Sequence, residues 1–158
     1  MYTGSALDFV SVRAILLAML LAGCAAVPGA SESLVGTSWQ LVKFQGGDGT
    51  VLTPDDKARY TLAFAPDGVM SARIDCNRAR AAWKSSGPNQ LEFGPMAATR
   101  AQCPPGSLHD QIMRQLPNVR SYVVKGGHLY LSLMADGGIY EFAPVAGAPV
   151  RSTPPVAP

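Results

Sequence analysis

The 158 residues carry 13 basic against 11 acidic side chains, a net charge of +2, and 47% of them are hydrophobic. Lysines and arginines are scattered rather than gathered into a stripe, which excludes an ordinary nucleic-acid-binding surface. Aromatic residues make up 8% of the chain and no heptad pattern is sustained, so a coiled coil is excluded as well.

The run Ala14 to Cys24 is apolar and uncharged. It is too short for the roughly 20 residues that a membrane-spanning helix needs. Arg13 precedes it and small residues end it, which suits a secretory segment. Its last four residues, Leu21-Ala22-Gly23-Cys24, resemble the lipobox of bacterial lipoproteins. That resemblance implies a signal peptide over residues 1–23, lipidation at Cys24 and a short tether over residues 24–33. Each buried methylene contributes about 0.8 kcal/mol, so two or three acyl chains hold a protein firmly to a bilayer. Ala25 stands where an aspartate would signal retention in the inner membrane. The resemblance therefore implies the periplasmic face of the outer membrane. The alternative is an ordinary signal peptide in which Cys24 is incidental.

Beyond the tether the chain reads as short strands separated by turns. Thr37 to Gln45 is a strand ending at the loop Gly46-Gly47-Asp48-Gly49. Tyr60, Leu62 and Phe64 alternate with Thr61 and Ala63, the period of a half-buried strand. Pro66-Asp67-Gly68 supplies turn chemistry, and Met70, Ala72 and Ile74 mark the next buried face. A further strand covers Gln90 to Phe93. Ser107 is placed to cap a helix whose Leu108, Ile112 and Leu116 share one face, widened by Met113 and stopped by Pro117. Arg120 to Val124, Leu129 to Leu133 and Ile139 to Phe142 form a meander through Gly126-Gly127 and Asp136-Gly137-Gly138. One amphipathic helix with about seven antiparallel strands predicts a mainly β fold of the α+β kind. Its form is a curved sheet or a partly open small barrel. The domain spans residues 34–143, and residues 144–158 are a proline-rich disordered tail.

Cys76 and Cys103 form an even pair, and in an oxidising envelope such a pair reads as a disulfide. The bridge would close a loop of about 28 residues, worth roughly 3.5 kcal/mol in the loop-entropy account. Two buried thiols, or one reactive cysteine, are the other readings.

Several residues in order resemble the META domain family, which includes HslJ-like lipoproteins. Leu34-Val35-Gly36-Thr37-Ser38-Trp39-Gln40-Leu41 resembles the family's opening L-x-G-T-x-W-x-L. Phe64-Ala65-Pro66-Asp67-Gly68 followed by Asp75-Cys76-Asn77 is similar to its F-x-x-D-G and G-C-N segments. Leu91-Glu92-Phe93 and then Ala98-Thr99-Arg100-Ala101-Gln102-Cys103 resemble its L-x-F and T-x-M-A-C segments. Asp75 stands where the family usually has glycine, and Arg100-Ala101 where it has methionine. The resemblance singles out Gly36, Thr37, Trp39, Asp67, Gly68, Asn77 and Thr99 as motif residues. It implies an envelope-stress or surface protein without an enzymatic reaction.

The chemistry of the residues agrees with a protein that is not an enzyme. His109 and His128 are isolated, have no zinc-ligand spacing and are expected to face solvent. Asp48, Asp67 and Asp136 lie in glycine-rich turns, where aspartate serves the backbone. Asn77 is expected to bond backbone in a turn rather than to hold a ligand. Arg73, Arg78, Arg80 and Lys84 with Trp83 form a local basic patch. It reads as a solvated strand face, with contact to anionic lipid headgroups or lipopolysaccharide as the functional alternative. The expectation is a lipid-anchored envelope protein with a non-catalytic binding or structural role in envelope integrity or stress tolerance. It would use no cofactor and no metal, and an envelope protein would be its partner. The rival expectation is a binding lipoprotein that inhibits lysozyme.

Overall fold

A computed structural model describes residues 33–147. The signal segment, Cys24, nearly all of the tether and the tail beyond Gly147 lie outside the described residues. Among the described residues no helix is long and apolar enough to cross a membrane.

Ten strands form one antiparallel sheet that curls into a nearly closed barrel. Seven are long: β1 (Thr37–Gln45), β3 (Tyr60–Phe64), β4 (Val69–Ile74), β5 (Asn77–Lys84), β8 (Val119–Lys125), β9 (His128–Leu133) and β10 (Ile139–Pro144). Three have only two residues: β2 (Val51–Leu52), β6 (Glu92–Phe93) and β7 (Ala97–Ala98). The path through the sheet is β6-β5-β4-β3-β1-β10-β9-β8, with β2 on β1 and β7 on β5. The ring closes where Gln90 bridges Ser121. There the Leu91 amide donates to Arg120 O at 3.1 Å and the Tyr122 amide to Asn89 O at 2.8 Å.

Alternation puts one face of each strand inside. Tyr60, Leu62 and Phe64 on β3 and Met70, Ala72 and Ile74 on β4 are all buried, as their spacing predicted. On β1 the buried residues are Trp39, Leu41 and Phe44, which breaks the period of two. The register shift between Leu41 and Lys43 accounts for this, because a bulge resets which side faces inward. The same device between Val119 and Ser121 lets Val119 and Tyr122 both point into the core.

The helix, α1 (His109–Gln115), plugs one end of the barrel with Ile112 and, just past its end, Leu116. Its capping position is Leu108 rather than Ser107, and no side chain caps it there. Ser107 still serves the first turn, since its Oγ accepts from the His109 amide at 3.2 Å. The Leu108 amide instead reaches across to the Tyr60 hydroxyl at 3.1 Å. A 3-10 turn over Leu116–Asn118 holds Pro117 and leads into β8. At the other end of the sequence, β10 runs through Pro144 and the Val145 amide donates to Ser38 O at 3.0 Å. Regular pairing thus passes the expected limit of the domain at residue 143.

Candidate functional site

The motif residues fall into two constellations. In the first, Gly36 has φ 76, a backbone conformation that suits glycine, and its amide donates to Phe64 O at 2.7 Å. The turn it makes sets Thr37 beneath Trp39. The indole Nε1 donates to Thr37 Oγ1 at 2.7 Å, and that hydroxyl donates onward to Leu34 O at 2.5 Å. A buried indole N–H needs such a partner, so Thr37 allows Trp39 to fill its end of the barrel. Gly68, with φ 77, closes the β3–β4 turn, and Asp67 Oδ1 accepts from the Val69 amide at 3.0 Å.

The second constellation surrounds the cysteines. Cys76 and Cys103 are joined in a disulfide with their Cα atoms 5.5 Å apart. Next to it Asn77 is fully buried, and every polar atom of its side chain is engaged. Its Oδ1 accepts from Thr99 Oγ1 and from the Ala101 amide, each at 2.8 Å. Its Nδ2 donates to Ala101 O at 2.9 Å. Thr99 Oγ1 also accepts from the Arg78 amide at 3.0 Å, while the Thr99 amide donates to Arg78 O at 3.0 Å. Asn77 and Thr99 therefore stitch the 99–103 segment to the start of β5, and the disulfide locks it.

Asp75 completes this corner. It is the first of two residues in the β4–β5 turn and has φ 57, which explains why a glycine would suit the position. As aspartate it is buried and pairs with the Arg59 guanidinium, which also reaches Asp55. The backbone joins as well, since the Asp75 amide donates to Arg59 O at 2.7 Å. The pair ties the β4–β5 turn to the segment before β3. Sequence reading did not foresee it, because Arg59 and Asp75 are brought together only by the folded sheet.

The remaining candidates separate. His109 is not solvent-facing: the Arg100–Ser107 loop and the helix start enclose it, so its side chain is only 17% exposed. Its Nδ1 lies 2.8 Å from Asp110 Oδ1, and its buried Nε2 has no hydrogen-bond partner among the described residues. His128 is half-buried, and its Nδ1 lies 2.7 Å from Glu141 Oε1. Burial raises the Glu141 carboxyl, but the hydrogen bonds from His128 and Lys43 and their charge outweigh it, leaving the pKa below the ordinary 4.5. Asp48 serves its turn by accepting from the Thr50 amide at 2.9 Å, which lowers its pKa. Asp136 instead adopts φ 54 in the β9–β10 connection. Burial pushes the Tyr140 phenol far above its usual range, and its hydroxyl donates to Gln115 Oε1 on the helix. Among the described residues no group of three or more His, Cys, Asp or Glu is placed to hold a metal ion.

The expected basic patch is partly reassigned. Trp83 turns toward the core, with its ring edge-on to Phe64 at 5.3 Å, and Lys84 pairs with Glu92 at 3.0 Å. Arg78 and Arg80 remain on the outer face of β5, opposite Arg73 and Ser71 of β4.

A family model for the META domain matches residues 32–146. A solution structure of a protein from Burkholderia xenovorans is similar, with a TM-score of 0.63, 22% identity, and coverage of 77% of this chain and 94% of that one. A DUF4847 family protein from Bacteroides vulgatus has a TM-score of 0.53, 17% identity, and coverage of 73% and 96%. At these identities the two structures support the fold alone. No curated protein matches the chain.

Proposed function

Because the chain belongs to the META domain family, we propose that it is a lipid-anchored bacterial envelope protein that works by binding rather than by catalysis. Cys24 would hold it at the periplasmic face of the outer membrane, where it contributes to envelope integrity or stress tolerance. One observation carries the non-catalytic part. Asn77 and Thr99, the polar residues of the Cys-Asn and Thr segments, meet each other and local backbone in a closed set of hydrogen bonds. Thr37 and Trp39 do the same at their end of the barrel. The family pattern thus describes a rigidly braced scaffold, and a scaffold acts through its surface. The disulfide supports an oxidising compartment, as the secretory segment does.

The test has two arms. Bacteria producing the chain are fed an alkynyl palmitate, and the label is compared between the wild type and Cys24→Ala. Label on the wild type alone supports the anchor, and label on neither removes it. Crosslinking in intact envelopes then asks for a partner that is enriched with the wild type and reduced with Cys24→Ala. A partner of that kind supports the binding role. Stoichiometric inhibition of lysozyme by the same protein would replace the general reading with the narrower inhibitor one. Turnover of an envelope substrate would overturn both.

A further inference from the structure

Two rungs of outward-facing side chains cross the sheet from β1 to β5. One reads Gln40, Thr61, Arg73, Arg78, and the other Ser38, Ala63, Ser71, Arg80 and, on β7, Ala97. Neither rung contains a carboxylate. Arg73 and Arg78 are directly opposed across two strands, an arrangement of like charges that destabilises a sheet. Arg73 bonds only backbone oxygens, of Asp75 and Ala58, and Arg78 and Arg80 make no ion pair among the described residues. Arg100 is exposed beside them, one residue past the Thr99 that bonds Arg78. Most of their neighbours in these rungs are small, namely Thr61, Ala63, Ser71 and Ala97. The other side of the barrel differs, because there Lys43 and His128 are both matched by Glu141.

We propose that the Arg73–Arg78–Arg80 face docks the domain onto an anionic phospholipid surface. Charge complementarity argues for an anionic partner, and guanidinium suits phosphate in particular. The entry of the chain argues for a membrane. Ser38, the second residue of β1, sits in the same rung as Arg80, three strand spacings or roughly 14 Å away. The described chain enters the domain at Ser33–Val35, beside Gly68 and Lys84 at the ends of the strands that carry Arg73, Arg78 and Arg80. About ten residues reach at most roughly 35 Å, which keeps the arginines close to any bilayer that holds Cys24. The inference takes that proximity from the anchored reading proposed above, while the charge pattern is independent of it.

The test uses the whole chain carrying Cys24→Ala, so that no acyl group contributes, with and without Arg73→Gln, Arg78→Gln and Arg80→Gln together. Each is sedimented with vesicles of phosphatidylcholine alone or of equal parts phosphatidylcholine and phosphatidylglycerol. Residues 1–23 are common to both chains, so their own affinity for lipid cancels. The expected result is a preference for the anionic vesicles that falls about fivefold per arginine, on the order of 100-fold for all three. Added salt should weaken it in parallel. Melting should show the triple variant folded. Equal binding by the two chains overturns the proposal, as does loss of binding to excess inorganic phosphate at matched ionic strength. Tighter binding to soluble heparin than to vesicles overturns it too. The palmitate labelling of the wild type reads the anchor separately. Arginine-dependent binding without label would keep this face and remove the anchor, and label without arginine dependence would do the reverse.

Discussion

Replacing Asn77 by alanine tests whether the second constellation is structural. The substitution removes two hydrogen bonds to Oδ1, at 2.8 Å each, and one from Nδ2, at 2.9 Å. A net hydrogen bond contributes about 1 kcal/mol, so the three sum to roughly 3 kcal/mol. Thr99 and Ala101 are both exposed, so water recovers part of this and the expected loss is about 2–3 kcal/mol. For a fold of this size that lowers Tm by roughly 8–12 °C. Urea unfolding followed by tryptophan fluorescence measures it, since Trp39 is buried and Trp83 packs on the core. The same substitution in a Cys76→Ser, Cys103→Ser background should cost about half as much. Asn77 and the disulfide hold one segment, and releasing it by either route removes part of what the other protects. A loss below about 1 kcal/mol would mean that water replaces the amide completely. Strictly additive losses would mean that the two braces act independently. Either result refutes the reasoning.

Three further outcomes follow from the same geometry. Cys76→Ser with Cys103→Ser, which opens a loop of sequence separation 27, should lower stability by about 3.5 kcal/mol in urea titration under otherwise equal conditions. Gly138→Ala should cost about 2–3 kcal/mol, since its φ is 124 and a Cβ would lie 2.5 Å from Gln45 O and 2.8 Å from Gly46 Cα. Gly126→Ala, with φ 59 and nothing within 4 Å, should cost only about 1 kcal/mol, so equal losses by thermal melting would contradict the contact argument. Glu141 has a depressed pKa in the folded state, so its contribution is present above the unfolded value and is lost as pH falls through the folded one. The stability advantage of the wild type over Glu141→Gln, about 0.5–1 kcal/mol, should therefore shrink between roughly pH 5 and pH 3. An advantage that grows on acidification would reverse the assignment.

The strands that sequence reading placed are those whose inner faces carry large side chains. Met70 and Ile74 with Ala72, or Tyr60, Leu62 and Phe64, announce their period without help. The strand β5 was not placed as an element because Ala79 and Ala81 are its core residues. Small inner side chains leave little hydrophobic signal, although Ala79 and Ala81 are buried. The strands β2 and β7 are too short for a period to show, and of the strand read over Gln90 to Phe93 only Glu92–Phe93 pairs as β6, with Gln90 a lone bridge to Ser121. At the site, Asn77 could be read from its place beside Cys76, but its true partners lie 22 and 24 residues away. The burial of His109 and the Arg59–Asp75 pair depend on loops that meet only in the folded barrel, so local spacing holds no trace of them. Trp83 was assigned to an exposed patch because it stands among basic residues, whereas the alternation of β5, with Asn77, Ala79 and Ala81 inward, carries it to the inner face.

The strand β1 lies between β3 and β10 in the sheet, so the first long strand of the domain pairs along one edge with the last. During synthesis or export that edge has no partner until nearly the whole domain has emerged. Gln40 waits for Ala143, and Phe44 for Tyr140. Folding to completion from a partial chain is therefore blocked by connectivity alone, and the long loop closure makes the final step slow compared with the local hairpins. If the chain is exported as proposed above, this delay would favour an unfolded polypeptide during transit. The same delay leaves an open strand edge that can pair with another copy of the chain. A nascent chain truncated before Ile139 should accordingly be the species most prone to aggregate.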